Sequence, residues 1–220
     1  VVQEVLGRPG QAGIVYCIRR ADVDGVATIL KRQKVRVTPY HAGMDDEERT
    51  RAQDKFASGE VDVVVATVAF GMGIDRSDIR YVLHAAMPKS MEHYQQETGR
   101  AGRDGQPADC VLFHSGADYR LWHSIISKNE TGDADEKLKM LSEMSNFAAA
   151  ARCRHRRLVE YFGQAWTREK CDACDVCTGT MGAVAGSGDV ARTLLKAIGA
   201  TGQRFGPAYV AEVLLGEATD

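Results

Sequence analysis

The chain has 220 residues, 44% hydrophobic and 26% charged, and a formal charge of -2 from 28 Lys and Arg against 30 Asp and Glu. That composition excludes fibres and disordered tails, and it excludes a bulk polycation that holds nucleic acid by net charge alone. No apolar run approaches the roughly 18 to 20 residues needed to cross a bilayer, and the opening VVQEVLGRPG lacks a signal-peptide pattern, so the expectation is a cytoplasmic protein without a membrane partner.

In chain order, Gly13 to Ile18 is an apolar run of strand length, and Val23, Val26, Ala27 and Leu30 then recur at helical spacing. Val35 to Tyr40 reads as a second strand. Asp45 with Glu48 three residues later forms a capping box, which predicts a helix running to Gly59. Val61 to Ala66 is a third strand, and its unbroken Val63-Val64-Val65 suits a parallel sheet covered on both faces. Tyr81 to Ala85 and Cys110 to His114 are two further strands, separated by a helix from about Ser90 to Thr98. Strands alternating with helices imply a doubly wound α/β domain, whose ligands are expected beyond the carboxyl ends of strands, after Ile18, Ala66 and Ala85.

Beyond Asp118 the pattern turns helical: Tyr119 to Lys128, Asp135 to Ala151 and Cys153 to Phe162. The polar run 129–133 is the expected boundary between the first two, and the Gly- and Ala-rich stretch Gly179 to Gly188 reads as a linker. Ala191 to Ile198 and Tyr209 to Leu215 are short helical patterns.

Four of the six cysteines are clustered. Cys171, Cys174 and Cys177 stand three apart, and Cys153 precedes them, so four thiolates can close a tetrahedron and leave no position for water. Such a set predicts structural zinc, with an iron–sulfur cluster or unrelated core cysteines as alternatives. Cys17 and Cys110 lie in apolar strand patterns and are expected to be buried as small hydrophobes. Around Cys153 the residues Arg152, Arg154, Arg156 and Arg157 concentrate positive charge, either as a nucleic-acid contact or as a solvated face.

Two glycine-punctuated loops carry candidate phosphate chemistry. In Ala66 through Asp75, Gly71 and Gly73 allow close backbone approach, Thr67 offers a hydroxyl, and Asp75 can accept from a ribose. In Gln96 through Gly105, Arg100 and Arg103 stand three residues apart, where both guanidiniums can address one polyphosphate in the manner of an arginine finger. His41, alone in a loop, is expected to be structural.

Ile14-Val15-Tyr16-Cys17, Tyr40 through Met44, Ala66 through Asp75 and Tyr94 through Gly105 occur in the order of motifs IV, V and VI of RecQ-type DNA helicases, which the chain resembles over nearly its whole length. The cysteine set, with Tyr161-Phe162-Gly163 between its halves, resembles that family's zinc-binding subdomain. Gln203-Arg204-Phe205-Gly206 with Tyr209-Val210 and Val213-Leu214 resembles the opening of its winged helix. The resemblance implies a RecA-like parallel sheet with flanking helices over 1–130, a helical zinc-binding subdomain over 131–182 and an incomplete winged-helix segment over 187–220.

It also implies roles. Arg103 would be the catalytic arginine finger, Arg100 its partner, and Gln96 and Asp75 would join them in binding ATP with magnesium in the complete enzyme. Thr67, Phe70, Gly71 and Arg20 would line the DNA strand, with Arg154 and Arg157 adding contacts. Family members often carry a small hydroxyl residue before the arginine that ends motif IV, where this chain has Arg19 followed by Arg20. The opening Gln96-Glu97-Thr98 differs from the His-Arg of DEAD-box RNA helicases and favours DNA.

The 220 residues contain neither Gly-x-x-x-x-Gly-Lys-Ser/Thr nor an Asp-Glu-x-His after an apolar strand. The expectation is therefore the second half of a 3′ to 5′ DNA helicase of repair, recombination and replication, inactive by itself. It would act on single-stranded and forked DNA with a missing first RecA-like domain, and would be nucleoid-associated if bacterial. A non-catalytic DNA-binding module and an RNA helicase are the alternatives.

Overall fold

The structure is a computed structural model that describes residues 1–67, 70, 76–129, 133–181 and 186–216. The chain divides into two compact units, Val1–Trp166 and Thr167–Asp220. Among the described residues, no helix is long and apolar enough to cross a membrane.

The first unit is built on five parallel strands, β1 (Gly13–Tyr16), β2 (Val37–Tyr40), β3 (Val63–Ala66), β4 (Tyr81–His84) and β5 (Asp109–Leu112), in the order β2-β3-β1-β4-β5. Its helices are α1 (Val2–Leu6), α2 (Arg20–Arg32), α3 (Asp46–Ala57), α4 (Met91–Thr98), α5 (Gly116–Asn129), α6 (Ala134–Ala149) and α7 (Arg154–Tyr161). This is the α/β arrangement expected from the alternating runs, a parallel sheet with flanking helices, as the resemblance also implied.

The two-residue period of a strand sorts its side chains to opposite faces, and the core follows that rule. Ile14, Tyr16, Val64 and Ala66 join Ala52 and Phe56 of α3 in one apolar cluster. Val15, Val63 and Val65, together with Cys17, join Val23, Ala27 and Leu30 of α2 and Val5 of α1 in another. A third cluster gathers Met91 and Tyr94 of α4, Trp122 and Ile126 of α5, and Leu141, Met144 and Phe147 of α6.

Local signals explain several boundaries. The Asp45 carboxylate accepts from the Glu48 N–H at 2.7 Å, and the Asp45 N–H donates to Glu48 Oε2 at 3.3 Å, so the capping box starts α3 as expected. Ser90 caps α4 by accepting from the His93 N–H. Gly13 is required inside β1, because a Cβ there would sit 2.0 Å from the Tyr81 ring. Helix α1 carries no pattern long enough to announce it, and it is anchored by the buried Val5 with Val2 packed partly against the same cluster.

Three expectations need revision. Cys110 is exposed, because β5 is an edge strand that leaves one side open. The proposed linker is shorter, since Ser187 and Gly188 already belong to a helix, α8 (Ser187–Ala200), while residues 182–185 lie outside the described ones. In the 129–133 boundary, Asn129 ends α5 and Asp133 precedes α6, and residues 130–132 lie outside the described ones.

The second unit carries the turns bearing Cys171, Cys174 and Cys177, followed by α8 and α9 (Pro207–Leu215). Pro207 opens α9 at a position where no helical N–H is needed, and Gly216 closes it at φ 74°.

Candidate nucleotide, nucleic-acid and metal sites

The segment after α4 forms the arginine turn. Gly102 takes φ +64°, and a Cβ there would meet the Gln106 carbonyl at 2.8 Å, so glycine is required. Its N–H donates to the Ile79 carbonyl at 2.9 Å, and the Asp104 N–H reaches the Ser77 carbonyl at 3.3 Å. Arg80 closes the anchor through two bonds to the Asp104 carboxylate, at 2.6 and 2.7 Å. These bonds hold that carboxyl below the ordinary aspartate value. The turn is thus tied to the amino end of β4. The turn follows a helix rather than a strand, yet its Arg100 reaches Tyr16 at the carboxyl end of β1.

Arg103 is exposed, and its Nε donates to the Gly99 carbonyl at 3.2 Å, leaving the rest of the guanidinium to face outward. Gln96 is exposed on α4. Arg100 is half-buried with its guanidinium against the Tyr16 hydroxyl at the carboxyl end of β1. Burial drives the Tyr16 phenol well above its ordinary range, with Arg100 pulling it back in part, so Tyr16 is a neutral phenol that donates to the Phe70 carbonyl at 3.2 Å.

Behind the turn lies a buried hydrogen-bonded pair that the sequence reading missed. His84 Nε2 stands 2.8 Å from Glu97 Oε2, with the two side chains only 1% and 6% exposed. The Tyr16 ring stacks on His84 at 5.4 Å, and the Tyr94 ring lies 5.2 Å away. A histidine inside an apolar strand and a glutamate inside a polar motif each look ordinary in sequence. Only the packing of α4 on β4 joins them.

Of the residues expected on the DNA strand, Thr67 is nearly buried at the carboxyl end of β3, its N–H donating to the Tyr40 carbonyl at 3.2 Å. Arg20 is exposed at the first position of α2 and packs beside Gly43. Gly71 and Asp75 lie outside the described residues. The Phe70 ring is 1% exposed and packs edge-on against Tyr40 and Phe56, so the ring belongs to the core. Arg154 Nη1 donates to the carbonyls of Phe147, Ala148 and Ala150 and its guanidinium lies over the Phe147 ring, so it closes the end of α6. Arg157 is half-buried in a small cleft with Met91, Glu143, Glu160 and Tyr161. His41 is structural as expected: its Nδ1 accepts from the Gly43 N–H, which leaves Nε2 to donate to Asp24 at 3.2 Å.

The Sγ atoms of Cys153, Cys171, Cys174 and Cys177 all lie within 4.8 Å of one another. Four thiolates about 2.3 Å from one tetrahedral ion would stand about 3.8 Å apart, so the set fits zinc with little adjustment. The Cys174 N–H donates to Cys171 Sγ at 3.3 Å, and Asp172 takes φ 56° to turn the chain between them. All four positions are sulfur, so such an ion would be structural, with no place for substrate or water.

The class of protein is given by the families that match this sheet and cysteine segment, those of a helicase C-terminal domain with a zinc-binding module. The helicase conserved C-terminal domain family matches residues 1–105, and the RecQ zinc-binding family matches residues 116–178. Over 213 residues the chain is 41% identical to the ATP-dependent DNA helicase RecQ of Pasteurella multocida, covering 96% of this chain and 33% of that protein. It is 45% identical to the putative ATP-dependent DNA helicase Q1 of Caenorhabditis briggsae, over 76% of this chain and 27% of that protein. A putative ATP-dependent RNA helicase, R290 of Acanthamoeba polyphaga mimivirus, is 40% identical over 78% of this chain and 31% of its own length. The chain belongs to the RecQ helicase family, as a motor-domain and zinc-binding region. It spans about a third of the length of the curated relatives it matches.

Proposed function

We propose that this region is the second motor domain and zinc module of an ATP-dependent, 3′ to 5′ DNA helicase serving repair, recombination and replication. ATP with magnesium binds across a cleft whose other wall, a first RecA-like domain, supplies the P-loop and Asp-Glu-x-His absent from these 220 residues. Arg103 acts as the arginine finger on the γ-phosphate, and Arg100, Gln96 and Asp75 complete the nucleotide contacts from this side. Thr67, Gly71 and Arg20 hold the backbone of single-stranded or forked DNA without reading its sequence. Closure on ATP and reopening after hydrolysis then move the strand. Structural zinc on Cys153, Cys171, Cys174 and Cys177 stiffens the module, which works in the cytoplasm, at the nucleoid in a bacterium.

The observation that carries this reading is the outward-facing Arg103 on a turn braced by Gly102, Arg80 and Asp104. By these roles the 220 residues alone neither hydrolyse ATP nor unwind DNA. In the complete helicase, Arg103→Ala lowers ATP turnover by about 10³-fold or more while single-stranded DNA binding persists. Undiminished turnover refutes the assignment. DNA rather than RNA is favoured by Gln96-Glu97-Thr98 and by the RecQ zinc-binding segment, and comparing the unwinding of DNA and RNA duplexes separates the two.

A further inference from the structure

A buried carboxylate at the end of a helix is poorly placed for stability. Glu97 lies in the last turn of α4, where the helix dipole is negative, and it has been removed from water. Apolar residues of similar volume often fill such a position without loss of stability, so a buried polar pair there is weak evidence for stability and a candidate for fixing geometry. What Glu97 adjoins is the arginine turn. The Arg100 N–H bonds to the Glu97 carbonyl at 3.4 Å, and the Ala101 N–H bonds to the Thr98 carbonyl at 3.1 Å. Arg103 Nε reaches Gly99, two residues beyond Glu97. His84 in turn is buried, with the Tyr16 ring stacked on it and the Tyr94 ring tilted against it.

We propose that the His84–Glu97 pair is a positioning element for catalysis, pinning the end of α4 to β4 so that Arg100 and Arg103 meet the nucleotide in one fixed orientation. The proposal rests on the nucleotide roles given above for the two arginines. The pair touches no substrate and acts only through the peptide it anchors. A displacement of about 1 Å in such a group costs roughly 100-fold in rate, and the loss falls on the transition state more than on ATP binding.

The test uses the complete helicase, with DNA-stimulated ATP turnover as readout. In His84→Leu, kcat is expected to fall about 10- to 100-fold with the KM for ATP within about threefold. His84→Gln, which keeps a donor near the Nε2 position, is expected to recover most of the rate. The decisive variant is the double His84→Leu, Glu97→Leu, which leaves neither partner of the buried hydrogen bond without the other. It should match wild type in thermal unfolding and still turn over about 10- to 100-fold more slowly. A double variant with wild-type kcat overturns the positioning role, as does a double variant whose lost rate tracks lost folded protein. A wild-type enzyme without DNA-stimulated turnover instead defeats the helicase reading itself, and Arg103→Ala separates the two failures.

Discussion

The sheet and the cysteine segment are stabilised by different means. From Val1 to Trp166, three apolar clusters fill the faces of a parallel sheet and the space among α4, α5 and α6. From Thr167 onward, the buried positions among the described residues are only Cys174, Ala197 and Val210. Apolar burial at about 25 cal/mol per Å² sustains the first region and has little to act on in the second. The short cysteine turns would therefore draw a defined shape from ligation, whereas Arg100 and Arg103 sit on a region where packing supplies the rigidity.

Removing the metal should separate the regions most sharply. Structural zinc contributes an apparent binding free energy of about 10 to 16 kcal/mol in comparable peptides. Metal analysis should find one zinc per chain, and the protein should be colourless. Chelation should then abolish amide protection over residues 171–181 while β1 to β5 keep theirs. Visible absorption would instead indicate iron–sulfur, and retained protection would mean that ligation does not hold the segment. The converse test is Phe56→Ala. Phe56 is fully buried and packs against the Phe70 ring, so truncation should cost about 3 to 5 kcal/mol in the sheet region. Zinc content should be unchanged, and a matching loss of metal would erase the distinction between the two regions.

Residues that declare themselves locally were legible in the sequence. Val63-Val64-Val65 reads as a covered parallel strand because its immediate neighbours are enough to show it, and Asp45 with Glu48 spells its own cap. The cysteine spacing and the arginine pair were visible for the same reason. The packing of Phe70 and Arg154 was not legible because it is tertiary: one ring completes a cluster drawn from β1, β2, α3, β3 and β4, and one guanidinium closes a helix that ends several residues earlier. His84 and Glu97, thirteen residues apart on different elements, had no local signal at all.

The smallest expected effect concerns acid, and it probes the packed region at its exposed margin. Asp104 is held by Arg80 and by the Gln106 N–H, and its carboxyl titrates below the ordinary value of 3.8. Because the folded value is the lower one, the unfolded chain binds the proton more readily. The contribution is therefore complete well above the unfolded value and is lost as pH falls through the folded one. The pair is accessible to solvent, so salt should weaken it further. Protection of the Gly102 N–H, which bonds to Ile79, should therefore decline below about pH 4, and more so at high salt, while protection within β3 holds. Asp104→Asn should remove that acid dependence and lower Gly102 protection at neutral pH. If Gly102 protection stays level from about pH 6 to 3, the backbone bonds alone brace the arginine turn, and the Arg80–Asp104 pair has no part in presenting Arg103.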